Sequence, residues 1–397
     1  MERLFVKSNA LIGKVDVNFV RNTLVDIDFN CRLNGLIGAR GTGKTTRMLQ
    51  ELKLLQQKGH KVLYVTMDDF YFAQKTPSYL ATEFAASGGE YLYFDEVHKH
   101  PNWSVFIKNI YDFEDRLKVV FSGSSIIQMS QQQADLSRRA LMYTMPGLSY
   151  REFLYLKYKI AFPIYELNDL VEGHLKIAAE IMAILPPLQY FKEYLRFGFY
   201  PFFLEKNRDY QLSLTQIIKY VLEVDFNTIV GYQGGQYYKL LDILLTIAQK
   251  PPFDFNATKV AQSVGINRNT LVNYLHYLHK ADLIRHVNYP QTSLSNLTKP
   301  DKMLLSNPNQ YYSLVGDDAN LGSVRESFFA SQLGFKHDVF LHPDTDFAVG
   351  CHIFETGGRN KRRNKKQQKI DGLIIVKDDI EIGAENMIPL YLFGFLY

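Results

Sequence analysis

Cysteine is scarce. Cys31 and Cys351 are the two in 397 residues, too few for a disulfide framework or a four-cysteine zinc site, and they favour a reducing, cytoplasmic setting. Long apolar runs are missing too. No stretch reaches the roughly 20 residues that a bilayer-crossing helix needs. The opening MERLFVKSNALIGKV has no apolar core leading to a small-residue cleavage site, so neither secretion nor membrane insertion is expected. Net charge is only +4, too small to announce a nucleic-acid partner by itself. Internal repeats are absent. What the chain does have is 28 Phe and 26 Tyr within a composition that is 46% hydrophobic and 22% charged, so core burial is not limiting. Its length favours two or three domains.

From about residue 31 to 145, short β-rich runs alternate with helical stretches, the pattern of a parallel sheet covered by helices. CRLNGLIG reads as a strand ending in a glycine loop, and TTRMLQELKLLQQKG as the following helix. KVLYVTM, EYLYFDE and LKVVFSGSS read as further strands. TPSYLATEFAAS begins with a capping threonine and a proline at the first helical position. WSVFIKNIYDF supplies another helix, giving the order βαβαβαβ. Residues 150 to 250 become mainly helical and rich in Tyr, Leu and Ile, as a helical lid would be. Residues 250 to 287 show two short helices around a glycine-bearing turn and then a third segment, a spacing that suits a winged helix-turn-helix. From about 305 the strand-like runs DVFLH, TDFAVG, HIFETG and GLIIV imply a separate α/β module. The expected boundaries are 1–155, 156–245, 246–300 and 301–397.

GARGTGKT (38–45) fits G-x-x-x-x-G-K-[ST] at every fixed position, between a predicted strand and a predicted helix. Its glycines allow backbone amides to close around a phosphate at a helix N-terminus. Lys44 is expected on the β- and γ-phosphates of a nucleotide, and the Thr45 hydroxyl on Mg²⁺. Gly38, Ala39, Arg40, Gly41, Thr42, Gly43 and Thr46 complete the expected nucleotide contacts. An acid pair follows in YLYFDEV: Asp95 is expected to hold the metal through its water shell, and Glu96 to orient the attacking water. Ser124, beyond VVF, is the candidate polar sensor, with Ser122 and Ser125 as competitors. Arg138 and Arg139 in DLSRRA are candidate arginine fingers, the alternative being pairs with surface acids.

GARGTGKTT, YLYFDE, VVFSGSS and DLSRRA, followed by LSYREFL, resemble the AAA+ family of bacterial and archaeal ATPases whose core is joined to a winged helix and a C-terminal restriction-endonuclease-like domain. The resemblance implies a P-loop NTPase core of parallel strands ordered 5-1-4-3-2, ATP with Mg²⁺ as ligands, and the roles given above for Lys44, Thr45, Asp95 and Glu96. It also implies a helical lid, in which Arg196 of YLRFGFYPFF is a candidate second sensor or a solvated arginine on an aromatic cluster. Because many AAA+ proteins form rings, a homo-oligomer is compatible with the pattern.

In the second helix of the winged segment, Arg268, Asn269, Thr270 and Asn273 stand where a recognition helix meets DNA, while Leu271, Leu275 and Leu278 at i, i+4 and i+7 face the core. RNKRRNKKQQK (359–369) packs seven basic residues into eleven positions without an acid, either a solvated loop or a phosphate-contacting surface. The nuclease-like resemblance in the last module rests on Glu326, Asp346 and Glu355. It departs where a lysine belongs, at Gly357, leaving Arg359 and Lys361 as the nearest replacements. Three functions are therefore weighed: an ATP-hydrolysing switch that acts on DNA, a nucleotide-gated DNA-binding regulator, and a metal-dependent nuclease.

Overall fold

The computed structural model describes residues 1–21, 28, 31–100, 102–123, 136, 138–205, 209–226, 236–250, 256–290 and 301–397. The chain divides into two compact units, Met1–Pro146 and Gly147–Tyr397.

In the first unit, strands β1 (Leu33–Ile37), β2 (Val62–Thr66), β3 (Tyr91–Asp95), β4 (Lys118–Gly123) and β5 (Leu141–Thr144) form one sheet. Its order is β2-β3-β4-β1-β5, all neighbours parallel. Counted from the β5 edge this is the 5-1-4-3-2 order that the family resemblance implied. The five-stranded parallel core matches the P-loop NTPase fold. Period-two alternation sorts the strand residues onto two faces. Leu63, Val65, Leu92, Phe94, Val119 and Phe121 pack with α3 (Pro77–Ala86) and α4 (Trp103–Phe113), whose Leu80, Phe84, Trp103 and Ile107 are buried. Val62, Tyr64, Tyr91, Tyr93 and Val120 pack on the opposite face with α2 (Lys44–Gln57) through Met48, Leu49 and Leu52. The expected cap is present on α3, where the Thr76 side chain accepts from the Tyr79 amide. Helix α1 (Glu2–Lys14) had no counterpart among the predicted elements. It buries only Leu4, Ser8 and Ile12, one residue per turn, a stripe too narrow to stand out as amphipathic.

The second unit begins with α5 (Tyr150–Tyr158), α6 (Leu167–Met182), α7 (Pro187–Phe197), α8 (Tyr210–Tyr220) and α9 (Gln236–Gln249), so the helical character expected for 150–250 is present. Ser149 and Glu152 form a reciprocal capping box on α5. Two further helices, α10 (Ala257–Val264) and α11 (Arg268–Lys280), meet at Gly265, whose φ of 68° ends α10 in the left-handed region. An antiparallel pair, β6 (Ile284–Val287) with β7 (Lys302–Leu305), follows. Then come α12 (Pro308–Val315) and α13 (Leu321–Leu333). The closing sheet contains β8 (Phe340–His342), β9 (Thr345–Val349), β10 (His352–Gly357), β11 (Leu373–Lys377) and β12 (Met387–Pro389), ordered β12-β11-β10-β9-β8. Its β8–β9–β10 part is antiparallel, and β10–β11–β12 is parallel.

Asn309 on α12 is fully buried. Its Nδ2 donates to the Tyr194 and Leu195 carbonyls at 3.0 and 2.8 Å, and its Oδ1 accepts from the Phe199 amide at 2.8 Å and from the Tyr210 hydroxyl. One amide thus satisfies the end of α7 and the start of α8. Asn309→Ala removes all four of these bonds, although the Tyr194 carbonyl keeps the Gly198 amide and the Tyr210 hydroxyl keeps the Tyr200 amide, and is expected to cost about 3 kcal/mol in urea-denaturation experiments; an unchanged midpoint would show that water replaces the amide freely.

Candidate functional site

The loop between β1 and α2 carries the glycine motif, and its shape depends on having no side chain at two positions. A Cβ on Gly38 would meet the Met145 carbonyl oxygen at 2.4 Å. Gly43 caps α2 with a φ of 95°, in the left-handed region. Lys44 is buried, and its Nζ donates to the Gly38 and Ala39 carbonyls at 2.9 and 2.7 Å. Thr42 closes the turn onto the Ala39 carbonyl at 3.0 Å. Thr45 and Thr46 are exposed at the start of α2, and Gly41 lies at the exposed crest of the loop.

Asp95, at the carboxyl end of β3, is only 3% exposed. Such a buried carboxylate needs donors, and four reach it. Thr45 Oγ1 donates to Oδ2 at 2.6 Å and the Tyr64 hydroxyl to the same oxygen at 2.7 Å. Ser122 Oγ donates to Oδ1, which also accepts from the Glu96 amide at 3.1 Å. Burial, reinforced by the Asp95 charge, pushes the Tyr64 phenol far above its usual range, so it remains a donor. The structure thus brings Thr45 to Asp95, with Lys44 one residue earlier at the start of α2. Two hydroxyls were not anticipated at this acid. Tyr64 read only as a strand residue, and Ser122 was the competitor to Ser124, which lies outside the described residues together with Ser125.

Glu96 follows with a φ of 55° and a ψ of 43°, an uncommon backbone for a residue with a side chain. Its Oε2 is surrounded by basic groups: His98 Nε2 at 3.5 Å, Arg40 Nη1 at 3.7 Å and Lys99 Nζ at 3.8 Å. Burial first, then the charges of Arg40, Lys99 and Lys44, push the His98 imidazole down to about 3, so it is neutral at physiological pH. Arg21 was not flagged by any motif. It is buried, and its Nη1 donates to the Thr42 carbonyl at 3.2 Å and the Pro146 carbonyl at 3.0 Å, tying the glycine loop to the segment after β5.

The arginine pair is divided. Arg139 forms a two-point ion pair with Asp112 on α4, Nε and Nη2 at 2.9 and 3.2 Å from the carboxylate, which is the surface-acid alternative weighed from the sequence. Arg138 is exposed. In the second unit Arg196 pairs with Asp317 at 2.5 Å and lies over the Tyr312 ring at 4.6 Å.

Glu326, Asp346 and Glu355 stand on α13, β9 and β10. Lys302 on β7 links two of them, its Nζ 2.8 Å from Glu326 and 3.5 Å from Asp346. Lys361 pairs with Glu355. Burial pushes the Glu326 carboxyl up to about 7, with Lys302 opposing. Gly357 explains how Lys361 arrives: a Cβ there would meet Lys361 Cγ at 2.5 Å and Cβ at 2.6 Å, so the lysine stem crosses the bare glycine. Lys302, Asp346 and Glu355 line a cavity of about 360 Å³ together with Tyr289 and His342. A second groove, of about 570 Å³, carries Lys361, Arg362, Arg363 and Lys377. On α11, Arg268, Asn269 and Asn273 are exposed, Thr270 is half-buried, and Leu271, Leu275 and Leu278 are buried as their spacing predicts.

Two substitutions probe this geometry. Gly38→Ala drives a methyl into backbone and is expected to lower stability by about 1–3 kcal/mol; thermal unfolding at the wild-type temperature would contradict the close approach. Tyr64→Phe removes one donor from a buried carboxylate, with an expected loss of about 1–3 kcal/mol by denaturant titration, and no loss would mean that the hydroxyl is dispensable to Asp95.

Comparison with known proteins agrees with this core. Residues 30–154 match the family described as AAA domain, and residues 188–319 match a domain of unknown function, DUF8612. The uncharacterized protein MJ1637 of Methanocaldococcus jannaschii is 24% identical over 319 residues, which are 75% of this chain and 67% of that one. Among solved structures, the Walker-type ATPase paby2304 of Pyrococcus abyssi is similar with a TM-score of 0.39 and 11% identity, covering 72% of this chain and 91% of that one. AMPPCP-bound DnaA from Aquifex aeolicus is similar with a TM-score of 0.25 and 14% identity, covering 66% and 85%. No helix among the described residues is long and apolar enough to cross a membrane. The part of the chain that carries the glycine loop and Asp95, residues 30–154, is thus similar to an AAA domain.

Proposed function

We propose that this chain is a cytoplasmic ATPase that binds ATP with Mg²⁺ at residues 38–46, and that hydrolysis serves as a switch acting on DNA. The observation that carries the reading is the 2.6 Å contact between Thr45 Oγ1 and Asp95, beside the buried ammonium of Lys44. These are the hard oxygen donors and the cation that a magnesium-linked triphosphate needs. Thr45 would ligate the ion and Asp95 would hold it through its water shell; when bound, the ion would supply neutralisation of the phosphate charge. Lys44 exchanges its loop carbonyls for phosphate oxygens. Glu96 orients the attacking water and receives its proton, while Ser122 or Ser124 supplies a polar contact at the β4 end. Arg138, being exposed, is free to serve a neighbouring subunit's site in a homo-oligomer, whereas Arg139 would first have to leave Asp112.

We assign 1–155 to the ATPase core, 156–245 to a helical lid, 246–300 to a winged helix-turn-helix and 301–397 to a nuclease-like module. Exposed Arg268, Asn269 and Asn273 and the basic run 359–369 support contact with DNA phosphates. A nucleotide-gated DNA-binding regulator with slow hydrolysis shares these features. Phosphate release from ATP and Mg²⁺ is expected to fall by about 10²–10⁴-fold in Glu96→Gln and to collapse in Lys44→Ala. Turnover equal to wild type in Glu96→Gln would remove that residue from its role. Affinity for duplex DNA is expected to fall steeply with salt, and binding indifferent to salt would exclude phosphate contacts.

A second reading, a metal-dependent nuclease, is raised by the meeting of Asp346 and Glu355 at one cavity, with Lys302 bridging Asp346 to the buried Glu326. Among the described residues no group of three or more His, Cys, Asp or Glu side chains could hold a metal ion, and a divalent cation would compete there with Lys302 and Lys361. DNA nicking that requires Mg²⁺ or Mn²⁺ and disappears in Asp346→Ala would establish it; DNA left intact would leave the cluster as an ion-paired pin between α13 and the sheet.

A further inference from the structure

The basic groups around Glu96 are not equivalent. Lys99 is also held by Asp68 at 2.5 Å. His98 is a neutral imidazole, able to orient the carboxylate by a hydrogen bond but carrying no charge to balance it. Arg40 is different because it belongs to the phosphate loop itself, two residues after Gly38 and four before Lys44. Its guanidinium stands 3.7 Å from Glu96, with both side chains 17% exposed, where water screens the pair only partly. A planar guanidinium is suited to two-point pairing with either a carboxylate or a phosphate. A triphosphate seated in the loop brings several negative charges to the segment that carries Arg40, against the single charge of Glu96.

We infer that Arg40 is shared between Glu96 and the γ-phosphate, so that a triphosphate draws the guanidinium away from the carboxylate and leaves Glu96 free to face the attacking water. The inference rests on the nucleotide-binding reading proposed above. Arg40 meets Glu96 from the loop side while the left-handed backbone at residue 96 fixes where the carboxylate begins. Filling the loop with a diphosphate leaves the pair in place. Only the third phosphate competes for the same guanidinium, which couples the base to the identity of the nucleotide. Because the carboxylate and the phosphate exclude one another on Arg40, removing the carboxylate must improve phosphate binding, and that improvement must pass through Arg40.

The test is a double-mutant cycle read as binding, not turnover. Titrate the full chain with AMPPCP and Mg²⁺, and separately with ADP and Mg²⁺, using wild type, Glu96→Gln, Arg40→Ala and the double variant, each with its melting temperature recorded. Glu96→Gln is expected to bind AMPPCP about three- to tenfold more tightly than wild type, the gain from releasing a partly screened ion pair. In the Arg40→Ala background the same substitution is expected to change affinity less than twofold, and ADP is expected to show no coupling in either background. Arg40→Lys, which keeps the charge without the planar fork, is expected to retain part of the coupling and serves as the second variant should Arg40→Ala fail to fold. An equal gain in both backgrounds would mean that Glu96 merely repels phosphate through space, and would overturn the sharing. Equal coupling with ADP would overturn the assignment to the γ-phosphate. Failure of the wild-type chain to bind either nucleotide would instead sink the nucleotide reading itself.

Discussion

The buried carboxylate of Asp95 is the interaction on which the first unit is organised. A charge with 3% exposure is tolerated because donors arrive from β2, from the first turn of α2, from β4 and from its own chain at Glu96. The donors on β2 and β4 depend on the parallel register: Thr66 is opposite Asp95, and Phe94 is opposite Phe121, so the strand ends stay level. A one-residue slip would turn Tyr64 and Ser122 to the other face. The glycine loop then has one place to lie, between this acid and the backbone at Met145, and Lys44 is held at its centre.

Much of this was legible in the sequence because the signals are local. The phosphate-loop motif fixes residue types within eight positions. The β-rich runs advertise a sheet buried on both faces, and Thr76 with Pro77 announces a helix start by its own chemistry. Contacts between residues distant in sequence were not legible. Nothing near Tyr64 says that its hydroxyl will reach a carboxylate 31 positions away, and Arg21 meets a carbonyl 125 positions on. The pairing of Arg139 with Asp112 is another case, since side-by-side arginines look the same whether they reach a phosphate or a surface acid. Helix α1 escaped notice because one buried residue per turn leaves little periodicity.

The last sheet shows a different limit. Reading linearly, Gly357 is a lysine lost from the acid–acid–lysine pattern. In three dimensions the glycine is what allows the stem of Lys361 to cross to Glu355, while Lys302 comes from β7 to the other two acids. A pattern of spacings records where ligands stand along one strand, and it is blind to an ammonium group that arrives over the top or from a neighbouring hairpin.

The central claim is that Asp95 and Lys44 together receive a magnesium-linked triphosphate. Its most direct test is calorimetric titration of ATP into the wild-type chain and Asp95→Asn, each with Mg²⁺ and with a chelator. The account predicts wild-type binding that weakens sharply when the metal is removed, and binding by Asp95→Asn that is weak and no longer responds to it. Identical affinities with and without Mg²⁺ in the wild-type chain, or an Asp95→Asn variant that keeps the full metal response, would contradict it.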